Sequence, residues 1–291
     1  MVIVVDANAR PDAMTELPQT GSYPYHCPIL SRPDLGVLRA PGPGLGNLLF
    51  PIARALTGQQ EQGGTFVFPT MRQIKIGTLL RSERDKRTYG EIFRRRTLRE
   101  AAHWAKSQTL PKAAEESASP TAKAIGYTGM AQQFHSLPDD CTVIRDFLIR
   151  ASRHPVTDAR YDIAIHFRKG DFQPPKEGHA RQSVQLPVSW YLSAYRKACD
   201  WLGNDRPSVI LFTDGDPQAT AAELGIENIA FEPPGNALTS LLAMSQSRVL
   251  IPSRSTFSLW AQYLGQSTTF WPEGFDLKAF KRVDPAADLW V

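Results

Sequence analysis

The sequence predicts an α/β fold with two Rossmann-like halves facing a cleft, each a parallel sheet flanked by helices. From residue 161 onward, short apolar segments alternate regularly with segments of helical periodicity. Strands separated by helices of this length are typical of βαβ units. Earlier in the chain, a Gly-rich turn lies between an apolar segment and a helical one at residues 36–57. We place the boundary between the halves near residue 155.

Residues 1–34 are expected to form an irregular N-terminal extension. Seven of the 23 prolines fall within the first 43 residues, and no periodicity is sustained there. The elements expected next are a strand at 36–40, a helix at 47–57, a strand at 65–68 and a helical pattern at 89–106. Residues 107–121, rich in Lys, Ala, Ser and Pro, favour a loop.

The C-terminal half carries the stronger periodicity. Its expected strands are 162–166, 208–212, 229–231, 248–251 and 268–270, and its expected helices are 188–202, 218–224, 237–245 and 256–264.

Composition narrows the class of protein. The 291 residues are 42% hydrophobic, and no apolar run approaches the roughly 18 residues of a membrane helix. The N-terminus has no basic leader followed by an apolar segment, so we expect a cytoplasmic protein. A net charge of +4 suits acidic small molecules or an anionic membrane surface and does not indicate nucleic acid. The three cysteines lack metal-ligand spacing and are expected to be reduced.

Residues 163–172, IAIHFRKGDF, join an apolar strand to a charged turn. Ligands of open α/β sheets bind at the carboxyl ends of strands. Arg168 and Lys169 there favour an anionic ligand such as a diphosphate, whose oxygens a guanidinium binds through two parallel hydrogen bonds. The alternative for Arg168 is a salt bridge with Asp171. His166 by itself is more typical of a structural hydrogen bond.

Residues 42–50, GPGLGNLLF, close the first expected strand and open the first helix. Glycines permit close approach of backbone to a ligand, and a helix N-terminus attracts negative charge. The segment lacks the G-x-G-x-x-G fingerprint of dinucleotide sites, and without G-K-[ST] it is no P-loop. By itself it indicates no more than a turn.

Residues 253–261, SRSTFSLWA, follow an apolar strand and lead into a helix. Ser255, Thr256 and Ser258 are candidates to cap that helix, and the same geometry forms an anion site. Asp214 and Asp216 make a D-x-D pair after another strand. Such a pair can hold a divalent metal, but Asp216 before Pro217 is more typical of a helix cap.

Together, these motifs resemble those of bacterial GDP-fucose-dependent α-1,2-fucosyltransferases. His166, Arg168, Gly170 and Asp171 match the H-x-R-x-G-D motif of that family. Residues 44–47 and Phe50 match its G-G-L-G-N-Q-M-F segment, and residues 255–258 match its N-S-[ST]-F-S-W-W segment. The resemblance covers about residues 36–275 and is tight only at these three motifs.

The resemblance implies a GT-B-like, inverting glycosyltransferase that moves L-fucose from GDP-fucose to a carbohydrate acceptor, without a metal ion or other cofactor. Residues 35–155 would form the acceptor side and residues 156–291 the GDP-sugar donor side. The implied catalytic residues are Arg168, which offsets charge on departing GDP, with Asp171 or His166 as general base. The implied donor-binding residues are Gly44, Gly46, Asn47, His166, Arg168, Asp214, Ser255, Thr256, Phe257 and Ser258.

Several departures from the family pattern keep alternatives open. Leu48, Gly215 and Arg254 stand where the family usually has Gln, an acid and Asn, and the acid that opens the helix near residue 238 is missing. Another nucleotide sugar is therefore one alternative, and a non-catalytic nucleotide-binding protein of polysaccharide assembly is another. The Arg-rich run 81–99 is typical of a solvated helix face, with the acceptor cleft or peripheral contact with an inner membrane as functional readings.

Overall fold

The computed structural model describes residues 24–74, 88–169, 185–232 and 236–291. They form two parallel β-sheets flanked by helices, which confirms the predicted α/β class. Within these ranges no helix is both long enough and apolar enough to span a bilayer.

The first sheet has four parallel strands in the order β2-β1-β4-β3. Its strands are β1 (Tyr25–Ile29), β2 (Thr65–Phe66), β3 (Ala113–Ala114) and β4 (Ala124–Thr128), accompanied by helices α1 (Leu45–Gln62), α2 (Leu98–Gln108) and α3 (Thr142–Ala151). The expected helix at 47–57 and strand at 65–68 correspond to α1 and β2. β3 and β4 were not predicted, nor was α3.

The expected start of the fold is wrong. The strand β1 lies inside residues 1–34, where an irregular extension was expected, and it pairs with β2 and β4. Pro28 obscures it in the sequence, because proline is usually excluded from central strands. The side of β1 that faces β2 holds the His26 carbonyl, which accepts from the Val67 amide. Pro28 faces that same side, beyond the end of β2, so its missing N–H costs no ladder bond there.

Residues 36–40, expected to be the first strand, form no strand. Asp34 and Arg39 make an isolated antiparallel bridge, and Arg39 makes a second one with Gln73. The segment is therefore a turn between β1 and α1. The buried Arg39 guanidinium holds it, because it donates to the Thr70 carbonyl and to Gln73 Oε1.

The second sheet has six parallel strands in the order β10-β9-β8-β5-β6-β7. Its strands are β5 (Ile163–Phe167), β6 (Val209–Thr213), β7 (Ile229–Phe231), β8 (Val249–Ile251), β9 (Thr268–Trp271) and β10 (Asp288–Trp290). Its helices are α4 (Val188–Leu202), α5 (Pro217–Leu224), α6 (Ala237–Met244) and α7 (Thr256–Gly265). The predicted strands β5 to β9 and all four predicted helices are confirmed within about one residue at each end.

This strand order places a topological switch point between β5 and β8. From β5 the chain adds β6 and β7 on one side, then returns to add β8, β9 and β10 on the other. That is the order of dinucleotide-binding Rossmann folds, in which ligands bind outside the carboxyl ends of the two central strands.

One hydrophobic cluster connects the two sheets. It contains residues of α1 and of α7, including Phe50 and Trp260, whose rings lie 5.0 Å apart. Phe134 packs against both rings, and Trp260 Nε1 donates to the Gly46 carbonyl at 2.6 Å. α1 is thus fixed against α7 by burial and by a hydrogen bond that is itself buried.

The three cysteines form no disulfide bond with one another. Cys27, Cys141 and Cys199 are all free and buried.

Candidate functional site

Three segments that the sequence singled out meet at the switch point. His166 lies near the end of β5, and Arg168 follows that strand directly. The adjacent strand β8 leads into α7 through residues 252–255, and the N-terminus of α1 packs against the N-terminus of α7. The carboxyl edge of the second sheet is therefore closed on one side by the first half of the chain.

His166 is a buried hydrogen-bonding centre. Its Nδ1 lies 2.7 Å from Ser258 Oγ and 3.1 Å from Ser253 Oγ, and its ring packs against Phe257 at 5.4 Å. Burial first, and then the charge of Arg168, lower the pKa of His166 to about 3. The imidazole is therefore neutral at physiological pH, and it is a much weaker base than one whose pKa lies near 7. These contacts favour the structural role that the sequence left open.

Arg168 and Asp214 form an ion pair across the ends of β5 and β6. Arg168 Nε lies 3.4 Å from Asp214 Oδ2, and both side chains are partly exposed. Asp214 Oδ1 also accepts from the Lys169 amide at 2.7 Å. Asp214 thus positions the turn that carries Arg168 and Lys169. The sequence did not predict this role for Asp214. Asp171, the other carboxylate expected near Arg168, lies outside the described residues.

The Lys169 side chain points away from the centre of the carboxyl edge of the second sheet, toward α5. Its Nζ pairs with Glu223 Oε1 at 2.5 Å. A Cβ on Gly215 would come within 3.0 Å of the Lys169 side chain. Gly215, one of the departures from the family pattern, therefore makes room for the Lys169 stem.

The N-terminus of α7 is built from hydroxyls. Ser255 is the N-cap and accepts from the Ser258 amide at 3.2 Å. Ser258 Oγ accepts from the Ser253 amide at 3.1 Å, and the hydroxyls of Ser253 and Ser255 lie 2.9 Å apart. The predicted capping role is confirmed for Ser255. A helix N-terminus also presents unsatisfied amides and a partial positive charge.

The N-terminus of α1 lies directly against this turn. Thr256 Oγ1 donates to Asn47 Oδ1 at 3.0 Å. A Cβ on Gly46 would come within 2.8 Å of Thr256 Oγ1 and 3.3 Å of the Phe257 amide, so Gly46 permits the contact. Gly44, the N-cap of α1, would meet nothing within 4 Å. The N-termini of α1, which flanks the first sheet, and of α7, which flanks the second, therefore converge beside the end of β5.

Arg254 adds a cation at this convergence. Its Nε is buried, and within the described parts of the chain no acceptor pairs with it. Burial alone lowers the pKa of the guanidinium. A partly buried cation without an acceptor at Nε suits an anionic ligand, because a charge withdrawn from water is expensive unless it is paired. In the sequence, Arg254 stands where the family usually has Asn, and a second cation for phosphate was one interpretation of that departure.

Glu232 is a titratable residue that the sequence analysis missed. It follows β7 directly, two strands from β5, which corresponds to about 10 Å across the sheet. Ser240 of α6 donates to Glu232 Oε1, and burial raises the pKa of Glu232 to about 7. An acid directly after a predicted strand was the available signal. Through its bond to Ser240, Glu232 places a carboxyl group beside α6, the helix that lacks the acid the family has at its start.

The D-x-D pair divides its roles. Asp216 caps α5 and accepts from the Ala219 amide at 2.6 Å, as predicted, whereas Asp214 faces Arg168. Within the described residues, no group of three or more His, Cys, Asp or Glu side chains is arranged to hold a metal ion.

A cavity of about 170 Å³ lies elsewhere, on the first sheet beside the C-terminal part of α1. Its lining includes Arg54, Glu61, Glu115 and Tyr127 and none of the predicted site residues. Arg54 is already bound to Glu115 and to the Thr128 carbonyl. We therefore place the candidate site at the switch point, on its chemistry.

Comparisons with known proteins found structural similarity alone: no protein-family model and no curated protein matches the chain. Fucosyltransferase NodZ from Bradyrhizobium is similar over 77% of this chain and 91% of its own, with 14% identity and a TM-score of 0.44. A structure of NodZ alpha-1,6-fucosyltransferase soaked with GDP-fucose covers 78% and 91%, with 16% identity and a TM-score of 0.40. POFUT1 in complex with GDP covers 93% and 99%, with 12% identity and a TM-score of 0.42. Similarity at this level does not by itself establish a shared activity.

Proposed function

We propose that this protein is a glycosyltransferase that moves L-fucose from GDP-fucose to a carbohydrate acceptor. The observation that carries the proposal is the convergence of two helix N-termini, joined by Thr256 and Asn47, beside the strand end that bears Arg168. Helix N-termini and guanidinium groups both bind phosphate oxygens. GDP-fucose supplies a diphosphate of the matching charge.

In this proposal the diphosphate lies between the first turns of α1 and α7. Arg168 and Arg254 contact its oxygens, and Asn47, Ser255 and Thr256 orient it. The remaining proposed donor-binding residues are Gly44, Gly46, His166, Asp214, Phe257 and Ser258. His166 acts by holding the hydroxyls of Ser253 and Ser258 in place. We further propose that the first half of the chain, from β1 to about residue 155, binds the acceptor, and that the second half binds the donor.

The proposed reaction is a single displacement with inversion. An acceptor hydroxyl oxygen bonds to the anomeric carbon of fucose while the bond from that carbon to the β-phosphate oxygen breaks. The electron pair leaves with GDP, and the hydroxyl proton passes to a general base, for which Asp171 is the candidate. Positive groups at the phosphates stabilise the charge that develops on departing GDP. Positioning supplies the rest of the rate enhancement, and no metal ion takes part.

The acceptor and linkage belong to the same proposal. The motifs resemble those of α-1,2 enzymes, so we propose an α-1,2 linkage on a unit of a bacterial surface polysaccharide. One of the similar structures is an α-1,6 enzyme. Methylation analysis of the fucosylated product distinguishes the two linkages.

Calorimetric titration tests the donor. We expect GDP and GDP-fucose to bind, UDP to bind more weakly, and EDTA to change neither affinity. Arg168→Ala is expected to weaken GDP binding by at least tenfold, because one charge-assisted hydrogen bond contributes about 1.5–3 kcal/mol. Arg248→Ala is the matched control. Arg248 pairs with Asp162 at 3.2 Å at the opposite edge of the sheet and is expected to leave GDP affinity unchanged.

Three outcomes decide between the alternatives. Equal binding of GDP and UDP, with turnover of another sugar donor, would replace fucose by that sugar. Tight GDP binding without release of GDP from GDP-fucose, in the presence of an oligosaccharide panel, would favour the non-catalytic nucleotide-binding protein. Equal losses in Arg168→Ala and Arg248→Ala would remove the switch point as the site.

A further inference from the structure

The turn between β1 and α1 presents large aliphatic side chains to solvent. The Leu35 amide donates to the Leu38 carbonyl at 2.9 Å, which tightens the turn closed by the Asp34–Arg39 bridge. Leu35 is 69% exposed and Val37 is 81% exposed. Removing such a side chain from water is favourable. Two of them at one tip therefore indicate a contact surface rather than scattered exposure.

The first residue of α2 extends this surface. Leu98 is 93% exposed, and it is the most exposed large hydrophobic residue in the described part of the chain, followed by Val37 and Leu35. The turn lies on α2, because a Cβ on Gly36 would come within 2.8 Å of the Trp104 ring. Arg96 donates to the Gly36 carbonyl and stacks on Trp104 at 5.1 Å. Leu98 follows Arg96 by two residues, so the start of α2 lies beside this turn.

Four exposed arginines lie on the segments that carry or contact these three aliphatic residues. Arg95 and Arg99 flank Leu98, Arg32 precedes the turn, and Arg72 accepts through its carbonyl from the Arg39 amide. Among the described residues, the nearby carboxylates Asp34 and Glu100 are engaged locally. Asp34 accepts from Thr70 Oγ1 and the Gly36 amide. Glu100 pairs with Arg94 and closes the capping box of α2. The surface is therefore apolar at its tip and basic around it.

We propose that Leu35, Val37 and Leu98 insert into an anionic phospholipid surface while Arg32, Arg72, Arg95 and Arg99 contact its headgroups. We call this set the basic apolar surface. Apolar groups flanked by arginines bind the boundary between headgroups and acyl chains, and the stem of arginine stays apolar while its guanidinium contacts charge. Each cation near an anionic membrane adds a favourable electrostatic contribution.

The location connects this surface to the candidate site. Arg39, at the base of the turn, donates to Gln73 Oε1, and the same oxygen accepts from the Gly42 amide just before α1. Membrane contact would therefore place the N-terminus of α1 close to the bilayer. This membrane contact rests on the proposed function and specifies its acceptor. The acceptor is a saccharide carried on a membrane lipid, and it reaches the candidate site from the bilayer surface.

Vesicle sedimentation with the full-length protein tests the proposal. We expect binding to phosphatidylcholine vesicles that contain phosphatidylglycerol, little binding to phosphatidylcholine alone, and weaker binding at high salt. The double variants Leu35→Ser/Val37→Ser and Arg95→Gln/Arg99→Gln are each expected to lose about tenfold or more in partition coefficient. Trp201→Ser is the matched apolar control, because Trp201 is 48% exposed on α4. Arg248→Gln is the matched charge control.

Calorimetry with GDP, run on every variant, separates this proposal from the proposed function. Loss of vesicle binding with unchanged GDP affinity would support the membrane contact whether or not the protein transfers fucose. The proposal would be overturned if wild-type protein did not bind vesicles that contain phosphatidylglycerol. It would also be overturned if the double variants bound these vesicles as well as the controls do. A change in oligomeric state confined to the Leu35→Ser/Val37→Ser variant, without vesicle binding by wild type, would show that a second copy covers the surface instead.

Discussion

Thr256 Oγ1 donates a hydrogen bond of 3.0 Å to Asn47 Oδ1, joining two residues 209 positions apart. Each lies in the first turn of a helix. One helix, α1, flanks the first sheet, and the other, α7, flanks the second. The bond therefore ties the two halves of the chain together at the point where both present helix N-termini. A ligand held there contacts both halves at once.

The Asn47–Thr256 bond is expected to couple the two halves energetically. Thr256→Val and Asn47→Ala should each lower the free energy of unfolding by about 1 kcal/mol, the usual contribution of one hydrogen bond. In a double-mutant cycle followed by urea denaturation, the combined loss should be smaller than the sum of the two. Strictly additive losses would mean that the bond contributes nothing to stability.

Gly46 and Gly44 provide a matched pair of glycine substitutions. Gly46→Ala is expected to weaken GDP binding and destabilise the protein, because the new methyl group would meet Thr256 Oγ1 at 2.8 Å and push α1 away from α7. Gly44→Ala adds the same methyl group in open space at a φ of −63° and is expected to leave the thermal stability unchanged. Calorimetry and thermal unfolding measure both effects. Identical behaviour of the two variants would count against the close approach of the helices.

Ser258→Ala is expected to destabilise the fold by about 1–3 kcal/mol. It removes the acceptor of the Ser253 amide and one hydroxyl partner of His166, both buried. A buried polar group without a partner costs that amount. The control is Ser193→Ala on α4, whose exposed hydroxyl bonds only to the Ser189 carbonyl. Urea denaturation should show a loss in Ser258→Ala and a change within about 0.5 kcal/mol in the control.

Glu232→Gln is expected to stabilise the protein at pH 8 and to have little effect near pH 4. Burial raises the pKa of Glu232 from 4.5 to about 7 in the folded state. Protonation therefore stabilises the fold below the unfolded pKa, and this contribution is lost as the pH rises through about 7. Since one pKa unit corresponds to about 1.36 kcal/mol, the gain at pH 8 is on the order of 3 kcal/mol.

Chemical denaturation of wild type and Glu232→Gln across this pH range measures the difference. Glu227→Gln, which removes an exposed carboxylate nearby in the chain, is the control and should follow wild type. A pH-independent difference between Glu232→Gln and wild type would contradict the raised pKa.

The sequence by itself determined most of the second sheet. Strands such as β5 are continuous apolar runs, and helices such as α5 carry their own start and stop signals, with Asp216 and Pro217 at one end and Gly225 in a left-handed conformation at the other. These signals act through the backbone of the element itself. The alternation of such elements predicted a parallel sheet, and with it that Arg168 and Ser255 follow the carboxyl ends of strands.

Only the tertiary structure decided the contacts between elements distant in the sequence. β1 is a strand despite Pro28 because β2 ends before the missing amide would be needed. Asp214 pairs with Arg168 because two strands end side by side, and Glu232 is partly buried where Ser240 of α6 donates to it. Local periodicity records which residues are apolar. It does not indicate which distant elements pack together. The packing of α6 on Glu232 raises the pKa of that residue, and the packing of α1 on α7 brings Asn47 to Thr256.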